Sequence, residues 1–532
     1  MMAELPGRIR QRLALVRENL LRKVVPPSRS PHTLEGYSTA YQKRIADPTM
    51  KWPDKEGCSA QKALVLVSPW LGMPVPYFSM EIGRALASYG CKVIFIKDME
   101  NVFFHEPRPR ELKAIGEAID VLAKTLDVLE LPQAGGGVCT EDEKDLREVV
   151  AENAVRFGGG ESTVAGMKFS WESNKASVEN HFLRIRRLLR RERPDFLLIP
   201  GGVFGASALY ALACRREGVH FTTYDCGPGE VVFAHNSAAA HLEDVGRAFH
   251  ALKPGLSLEQ VESMVQQVEK ILGIRKAGTD VYRLQPHSVG SGRKPVYDIF
   301  VPLNFRTDTA ALQRQKLFSS VQDWLRQLLE WVGLQPDVSI VIRQHPCERI
   351  PEFRGTDDWP EFLKFFRRGL GSRLRFVSAW DHVNSYDLIA SAKVALPYTS
   401  RTGIECAFFG LPTILCSRCF YADSGFVESP KTIPAYFEAI WEALSGRTRV
   451  CPSQRANAAI FYSLVEKCAL CPTTFTPTPD DFHRWVSMKP AELLGDHSVD
   501  LILECLLRGD LFPSLLYRRQ TLHSHDPNSQ TN

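Results

Sequence analysis

Apolar positions along this chain recur in two alternating rhythms. From Lys62, "KALVLVSPW" is a short apolar run ending in Ser-Pro, "YFSMEIGRALASYG" carries a helical period, and "CKVIFIKD" is a second run. Apolar runs of this length between helix-period stretches are expected of parallel strands covered on both faces. The stretch after Asp98 reads as helical and polar, with loose glycine segments "QAGGGV" and "RFGGGEST". A long basic helix, "NKASVENHFLRIRRLLRRERP", follows and is ended by Pro194. A strand "DFLLIPGG", a helix "GASALYALACRREG" and a strand "VHFTTYD" complete a first α/β series.

Patterning is poor from Ala251 to Lys294, and the alternation then restarts. Strands are expected at "VYDIFVPLNF", "VSIVIRQHP", "LRFVSAWD", "KVALPYTS" and "PTILC", and a helix with Leu312, Leu317, Val321, Leu325, Leu328 and Val332 on one side. Shorter helices are expected at "PEFLKFFRRGLG", "VNSYDLIASA" and "RTGIECAFFG". The fold class is α/β, two Rossmann-like domains in tandem, with ligand at the carboxyl ends of strands and between domains. The divisions are an N-terminal basic segment 1–60, a first domain 61–255, a linker 256–295, a second domain 296–455, and C-terminal helices and tail 456–532. The helices in "TIPAYFEAIWEALSG" and "QRANAAIFYSLVEKCAL" are expected to brace the domains, and "TLHSHDPNSQTN" reads as a frayed tail.

Composition narrows the class. With 532 residues, 44% hydrophobic and 24% charged, the chain has the make-up of a soluble globular protein larger than one ordinary core. A net charge of +4 gives general nucleic-acid binding no support. The 13 scattered cysteines and the lack of an N-terminal apolar h-region point to a reducing cytoplasm. No apolar run approaches the roughly 20 residues that span a bilayer. At the N-terminus Leu13, Leu15, Val16, Leu20 and Leu21 alternate with Arg10, Arg12, Arg17, Arg22 and Lys23, which suits a packed surface helix or one lying on a membrane.

Candidate chemistry gathers at strand ends. In "YTSRTGIECAFFGLPTI" a strand passes through Thr399 and Ser400 into a helix start, where unpaired N–H groups at Ser400, Thr402 and Gly403 suit a phosphate. The same letters, Thr402-Gly-Ile-Glu405, also spell a capping box. In "VIRQHPCER", His345 stands at another strand end with Arg343 close by, placed to donate a hydrogen bond to phosphate or to protonate it. In "VHFTTYDCGPGEVVFAHN", Asp225 at a strand end is a candidate general base, or a cap for the Gly-Pro-Gly turn, with Glu230, His235 and Asn236 as acceptor-side candidates.

The His-Pro after one strand and "TSRTGIECAFFGLPTI" two strands later resemble the donor domain of GT-B glycosyltransferases. The likeness is greatest to bacterial capsule-polysaccharide, Kdo-transferase and sialyltransferase-like enzymes that use CMP-sugars, and it covers about Val296 to Ser417. The resemblance implies that His345 takes the donor phosphate, that Thr399 and Ser400 stand where relatives carry Ser-Ser, and that Glu405 reaches the ribose. "DCG" is similar to the acidic-acidic-Gly motif of CMP-sialic-acid transferases only in its first and third positions.

The function so implied is transfer of a sugar from a nucleotide-sugar donor, a CMP-sugar favoured, to a glycan or glycolipid acceptor in cell-surface polysaccharide synthesis. It needs no metal and no cofactor beyond the nucleotide sugar, no nucleic acid, and a cytoplasmic location with peripheral association at the inner membrane face. A sugar-nucleotide epimerase of the same fold and a non-catalytic glycan-assembly protein remain alternatives. "IPGGVFGAS" is not G-x-G-x-x-G and "FGGGEST" lacks the G-K-[ST] of a P-loop. The pairs Cys416/Cys419 and Cys468/Cys471 have zinc-ligand spacing but no glycine knuckles around them.

Overall fold

A computed structural model of the chain describes residues 34–54, 61–100, 102–103, 109–158, 170–280, 285–286, 297–305, 308–350 and 358–524. The basic stretch 1–33, residues 159–163 of the second glycine segment and the last eight of the tail lie outside the described residues. The chain forms two compact units, one of Met1–Asn153, Met167–Ala240 and Cys468–Asn532, the other of Ala154–Gly166 and His241–Lys467.

The first unit is built on seven strands: β1 (Lys62–Val67), β2 (Lys92–Lys97), β3 (Asp127–Glu130), β4 (Phe196–Pro200), β5 (His220–Gly227), β6 (Glu230–His235) and β11 (Cys471–Pro472). Their order is β11-β6-β5-β4-β1-β2-β3, with β1 to β5 parallel and β6 and β11 antiparallel. Strand order reverses at β1, so the crevice between β1 and β4 is the topological switch point where open α/β sheets hold ligands. Unbroken apolar sequence makes β1 and β4 strands covered on both faces: Leu64, Leu66, Leu197 and Ile199 pack with Ile185 and Leu188 of the helix Trp171–Glu192. That helix ends where Arg193 turns left-handed ahead of Pro194, at φ 45°.

Three strands were not foreseen. The stretch after Asp98 contains β3 after the helix Pro109–Leu122, and "CGPGEVVFAHN" is the turn and return strand of a β5–β6 hairpin. The chain comes back into this unit at Cys468, adds β11 to the sheet edge and continues through four helices from Pro479 to Ser524. Arg44 of the helix Leu34–Ala46 fastens that return, donating to the carbonyls of Trp485, Val486 and Met488 and to buried Glu81 at 2.8 Å. Burial pushes the Glu81 carboxyl up, but Arg84 and Arg44 outweigh it and hold it at about 2. The helices expected in "TIPAYFEAIWEALSG" and "QRANAAIFYSLVEKCAL" form as Ile433–Leu444 and Pro452–Cys468 and fall in the second unit up to Lys467.

The second unit holds a four-stranded parallel sheet, β7 (Tyr297–Pro302), β8 (Ile340–Arg343), β9 (Leu374–Val377) and β10 (Ala392–Ala395), in the order β10-β7-β8-β9. Trp324, Leu325, Leu328 and Val332 of the helix Val321–Gly333 cover it; Leu312 and Leu317 precede that helix rather than extend it. "PTILC" is no strand, since Thr413 and Ile414 make one bridge each, to Ala395 and Glu428. The poorly patterned 256–295 stretch carries a 19-residue helix, Leu258–Lys276, opened by a Ser257/Gln260 capping box. Among the described residues no helix is long and apolar enough to cross a membrane.

Candidate functional site

At the carboxyl edge of the second sheet, three strands end in candidate side chains. Past β7 stand Asn304 and Phe305, past β8 stands His345, and past β10 stand Thr399 and Ser400. Asn304 accepts from the Thr399 N–H at 3.2 Å, and Phe305 meets the His345 ring edge-on with centroids 5.5 Å apart. One dipeptide therefore joins the His-Pro segment to the Thr-Ser segment. Because β7 lies between β8 and β10, two strand spacings, about 10 Å, separate the ends of β8 and β10.

His345 opens the short 3-10 turn Pro346–Arg349, and its Nδ1 accepts the Cys347 N–H at 3.2 Å. That bond leaves the ring proton on Nε2. Burial, and secondarily Arg343, lower its pKa to about 4. At neutral pH the group is a neutral donor and not the acid that would protonate a phosphate. Arg343 turns toward the next strand, donating to the carbonyls of Ser378 and Val383, and its Nε is buried without a partner among the described residues.

The Thr402-x-x-Glu405 capping box does not form. Helix Thr402–Phe408 begins after Arg401 with no side-chain cap of its own; Ser400 Oγ instead accepts the Thr402 N–H at 3.3 Å, and the N–H groups of Gly403 and Ile404 bond the carbonyls of Ser400 and Arg401. Gly403 is needed for packing: a Cβ there would fall 2.2 Å from the Tyr421 hydroxyl, which itself donates to the Ser400 carbonyl at 2.7 Å. Thr399 is buried, and its Oγ1 has no hydrogen-bond partner among the described residues. Unmet buried hydroxyls are uncommon and cost stability, so this one is capacity held in reserve. Glu405 lies on the same helix, buried, ion-paired to Arg275 at 3.2 Å. Nothing in the sequence marks Asn304, Phe305, Tyr421 or Arg275 as part of this arrangement, since each acts across tens of residues.

In the first unit Asp225 sits within β5, two residues short of its end, half-buried, with Oδ1 accepting its neighbour's N–H, that of Cys226, at 2.8 Å. The hairpin tip is held by another acid: Asp481 accepts from the Gly229 N–H and the hydroxyls of Thr476 and Thr478. Glu230 lies opposite Gly227, where a Cβ would fall 2.8 Å from its Oε1, so it shares the carboxyl edge with Asp225. His235 and Asn236 do not. Antiparallel β6 carries them to the other edge of the sheet, beside Thr222 and Phe221. There His235 is bonded to Thr222 Oγ1 and the Asp510 carbonyl, and Asn236 accepts the Phe221 N–H in a left-handed turn. At "IPGG" the close approach belongs to the protein itself, since a Cβ on Gly201 would fall 2.5 Å from Trp70.

The other signals resolve as packing. Arg184, Arg186, Arg190 and Arg191 of the basic helix all pair with carboxylates. Cys416 and Cys419 are buried in the second unit, and burial pushes the Cys419 thiol up to about 12; Cys468 and Cys471 are buried in the first.

No family model matches the chain, and no curated protein does. Solved structures give distant likenesses. Thermosulfurimonas dismutans KpsC, a beta Kdo 2,7 transferase, is 17% identical over 52% of this chain and 79% of its own, with a TM-score of 0.31. The UDP-GlcNAc 2-epimerase of Methanocaldococcus jannaschii is 13% identical over 76% of this chain and 99% of its own, with a TM-score of 0.23. That of Neisseria meningitidis, bound to UDP-GlcNAc, is 11% identical over 84% and 100%, with a TM-score of 0.20.

Proposed function

We propose that the chain is a glycosyltransferase that takes a sugar from a nucleotide-sugar donor, a CMP-sugar before others, and passes it to a glycan or lipid-linked acceptor. The observation that supports this most is that Asn304 accepts the Thr399 N–H while its neighbour Phe305 packs on His345, at the strand edge where Thr399 Oγ1 is buried with no partner among the described residues. A departing nucleotide phosphate needs hydrogen-bond donors fixed in advance where its charge develops. The neutral His345 offers Nε2–H, Thr399 offers Oγ1–H, and the N–H groups of Ser400 and Arg401 precede those already bonded within the helix.

In the first unit Asp225 is the general base. It removes the acceptor hydroxyl proton as that oxygen bonds the anomeric carbon, while the bond from that carbon to the phosphate oxygen breaks and the nucleotide leaves with the electron pair. The CMP preference follows from the resemblance of the His-Pro and Thr-Ser segments. Action at the inner face of a membrane, where lipid-linked acceptors are held, belongs to the same proposal.

Thermal unfolding with CMP-, UDP- and GDP-sugars tests it, because a ligand of the native state raises the midpoint. A CMP compound is expected to raise it, and His345→Ala to abolish the rise; stabilisation by UDP-sugars alone removes the CMP assignment. Asp225→Asn is expected to keep the rise and to lose about 100-fold or more in transfer rate. Formation of a free sugar-nucleotide isomer without acceptor identifies an epimerase instead.

A further inference from the structure

Glu405, the carboxylate offered to the donor's ribose, is held before any ligand arrives. Arg275, 130 residues away near the end of the helix Leu258–Lys276, donates to it from Nη1 at 3.2 Å. The other arm of the guanidinium donates to both oxygens of Glu466, each at 3.1 Å, and the group lies over the Tyr462 ring, 5.6 Å from its centroid. Arg401 closes the array with a 3.1 Å bond to Glu466. Two guanidinium groups and two carboxylates thus alternate, and Arg275 is fixed by Glu466 and Tyr462 while one arm holds Glu405.

Two further features mark the place as unfinished. Tyr386 of the helix Ser385–Ile389 directs its hydroxyl to Glu405, while the Tyr462 hydroxyl is buried with no partner among the described residues. Burial pushes the Glu405 carboxyl up, and Arg275 and then Arg401 pull against it. The groups that bear on Glu405 are therefore Arg275, Arg401, Tyr386, Tyr462, Tyr421 and Cys406, with Glu466 behind the arginines. A carboxylate accepts from two adjacent hydroxyls only while it is ionised, and a buried one left alone takes up a proton.

We propose that Arg275 is a positioning residue of the donor site: held by Glu466, it keeps Glu405 oriented and ionised to accept hydrogen bonds from the vicinal hydroxyls of the nucleotide's ribose. This rests on the nucleotide-sugar reading above.

The test is calorimetric binding of CMP and of 2',3'-dideoxycytidine monophosphate to the full chain between about pH 5.5 and 8.5, a window bracketing neutrality in which a raised carboxyl can titrate. The phosphate titrates alike in both probes, so the ratio of their affinities reports on the ribose contact alone. The unaltered protein is expected to favour CMP by about tenfold throughout, the worth of one or two hydrogen bonds to a charged group. In Arg275→Gln that preference should vanish at the acid end and return as pH rises, because Glu405 must then lose its proton unaided. Arg275→Lys should restore much of it. Glu405→Gln should remove the preference at every pH, with no further loss when Arg275→Gln is added.

Equal weakening of both probes by Arg275→Gln at every pH would make the arginine merely structural and overturn the inference, as would an unchanged preference. Glu466→Gln, which frees Arg275 without touching Glu405, gives the same reading in smaller measure if Arg275→Gln does not fold. Binding of neither nucleotide by the unaltered protein overturns the nucleotide-sugar reading and this inference together, whereas binding with a pH-blind Arg275→Gln overturns the inference alone.

Discussion

His181 in the first unit and His345 in the second stand near the carboxyl edges of their sheets in opposite states. His181, on the helix Trp171–Glu192, bonds Asp98 just past β2 at 2.8 Å, and Asp98 also accepts from Tyr210 at 3.0 Å. Burial presses the pKa of His181 down, but Asp98 and then Glu100 outweigh it and raise it to about 9. Among the described residues His345 has no carboxylate against it, with Arg343 near it, and it stays neutral down to about 4. The same side chain is a charged strut in one place and an uncharged donor in the other. Its neighbours decide which, so a histidine at a strand end cannot be assigned a chemical role until they are known.

The most disruptive way to probe this contrast is His181→Ala. It leaves buried Asp98 without its cation and is expected to cost about 3–5 kcal/mol, read from the denaturant midpoint at unchanged m. A loss under about 1 kcal/mol would mean the pair is not charged.

Next comes the pH dependence of that loss. The folded pKa of His181 lies above its unfolded value of about 6.5, so its support is whole below about pH 6.5 and drains away as pH rises through about 9. The gap between the protein and His181→Ala should narrow over that range. His345 has the reverse sign: its folded pKa is depressed, so below about pH 6.5 the unfolded chain takes up a proton that the native site refuses until about 4. His345→Gln should therefore lose less stability on acidification than the unaltered protein.

The mildest change is Thr399→Val, which removes a buried hydroxyl with no partner among the described residues. Stability is expected to hold within about 1 kcal/mol or to improve, while nucleotide affinity falls about tenfold. A stability loss without an affinity loss would return Thr399 to packing.

Legibility in the sequence followed burial. Strands such as "KALVLV", after its opening lysine, and "FLLIP" are apolar because both faces are covered, and the chain announces them. The edge strand β3, "DVLE", is half-exposed and reads as polar, and β6 hides behind a Gly-Pro-Gly stretch that reads equally well as a loop. "PTILC" is apolar because it is buried, yet it pairs at single points only. Local signals also failed where tertiary partners outbid them: Glu405 was free to complete a capping box but lies against Arg275, and Gly403 makes room for Tyr421. His345, Thr399 and Ser400 were findable as strand-end residues. Asn304 and Phe305, which join them, were not, because neither contact is local in sequence.

The central claim, that a neutral His345 receives the donor's phosphate, is most directly tested by following the histidine ring resonances through a pH titration with and without CMP, with His345→Gln supplying the assignment. A ring that stays uncharged to about pH 4 and shifts when CMP binds, while His181 stays charged to about pH 9 and does not shift, is the expected result. A His345 resonance that titrates near its ordinary value of about 6.5, or is unmoved by bound CMP, would contradict it.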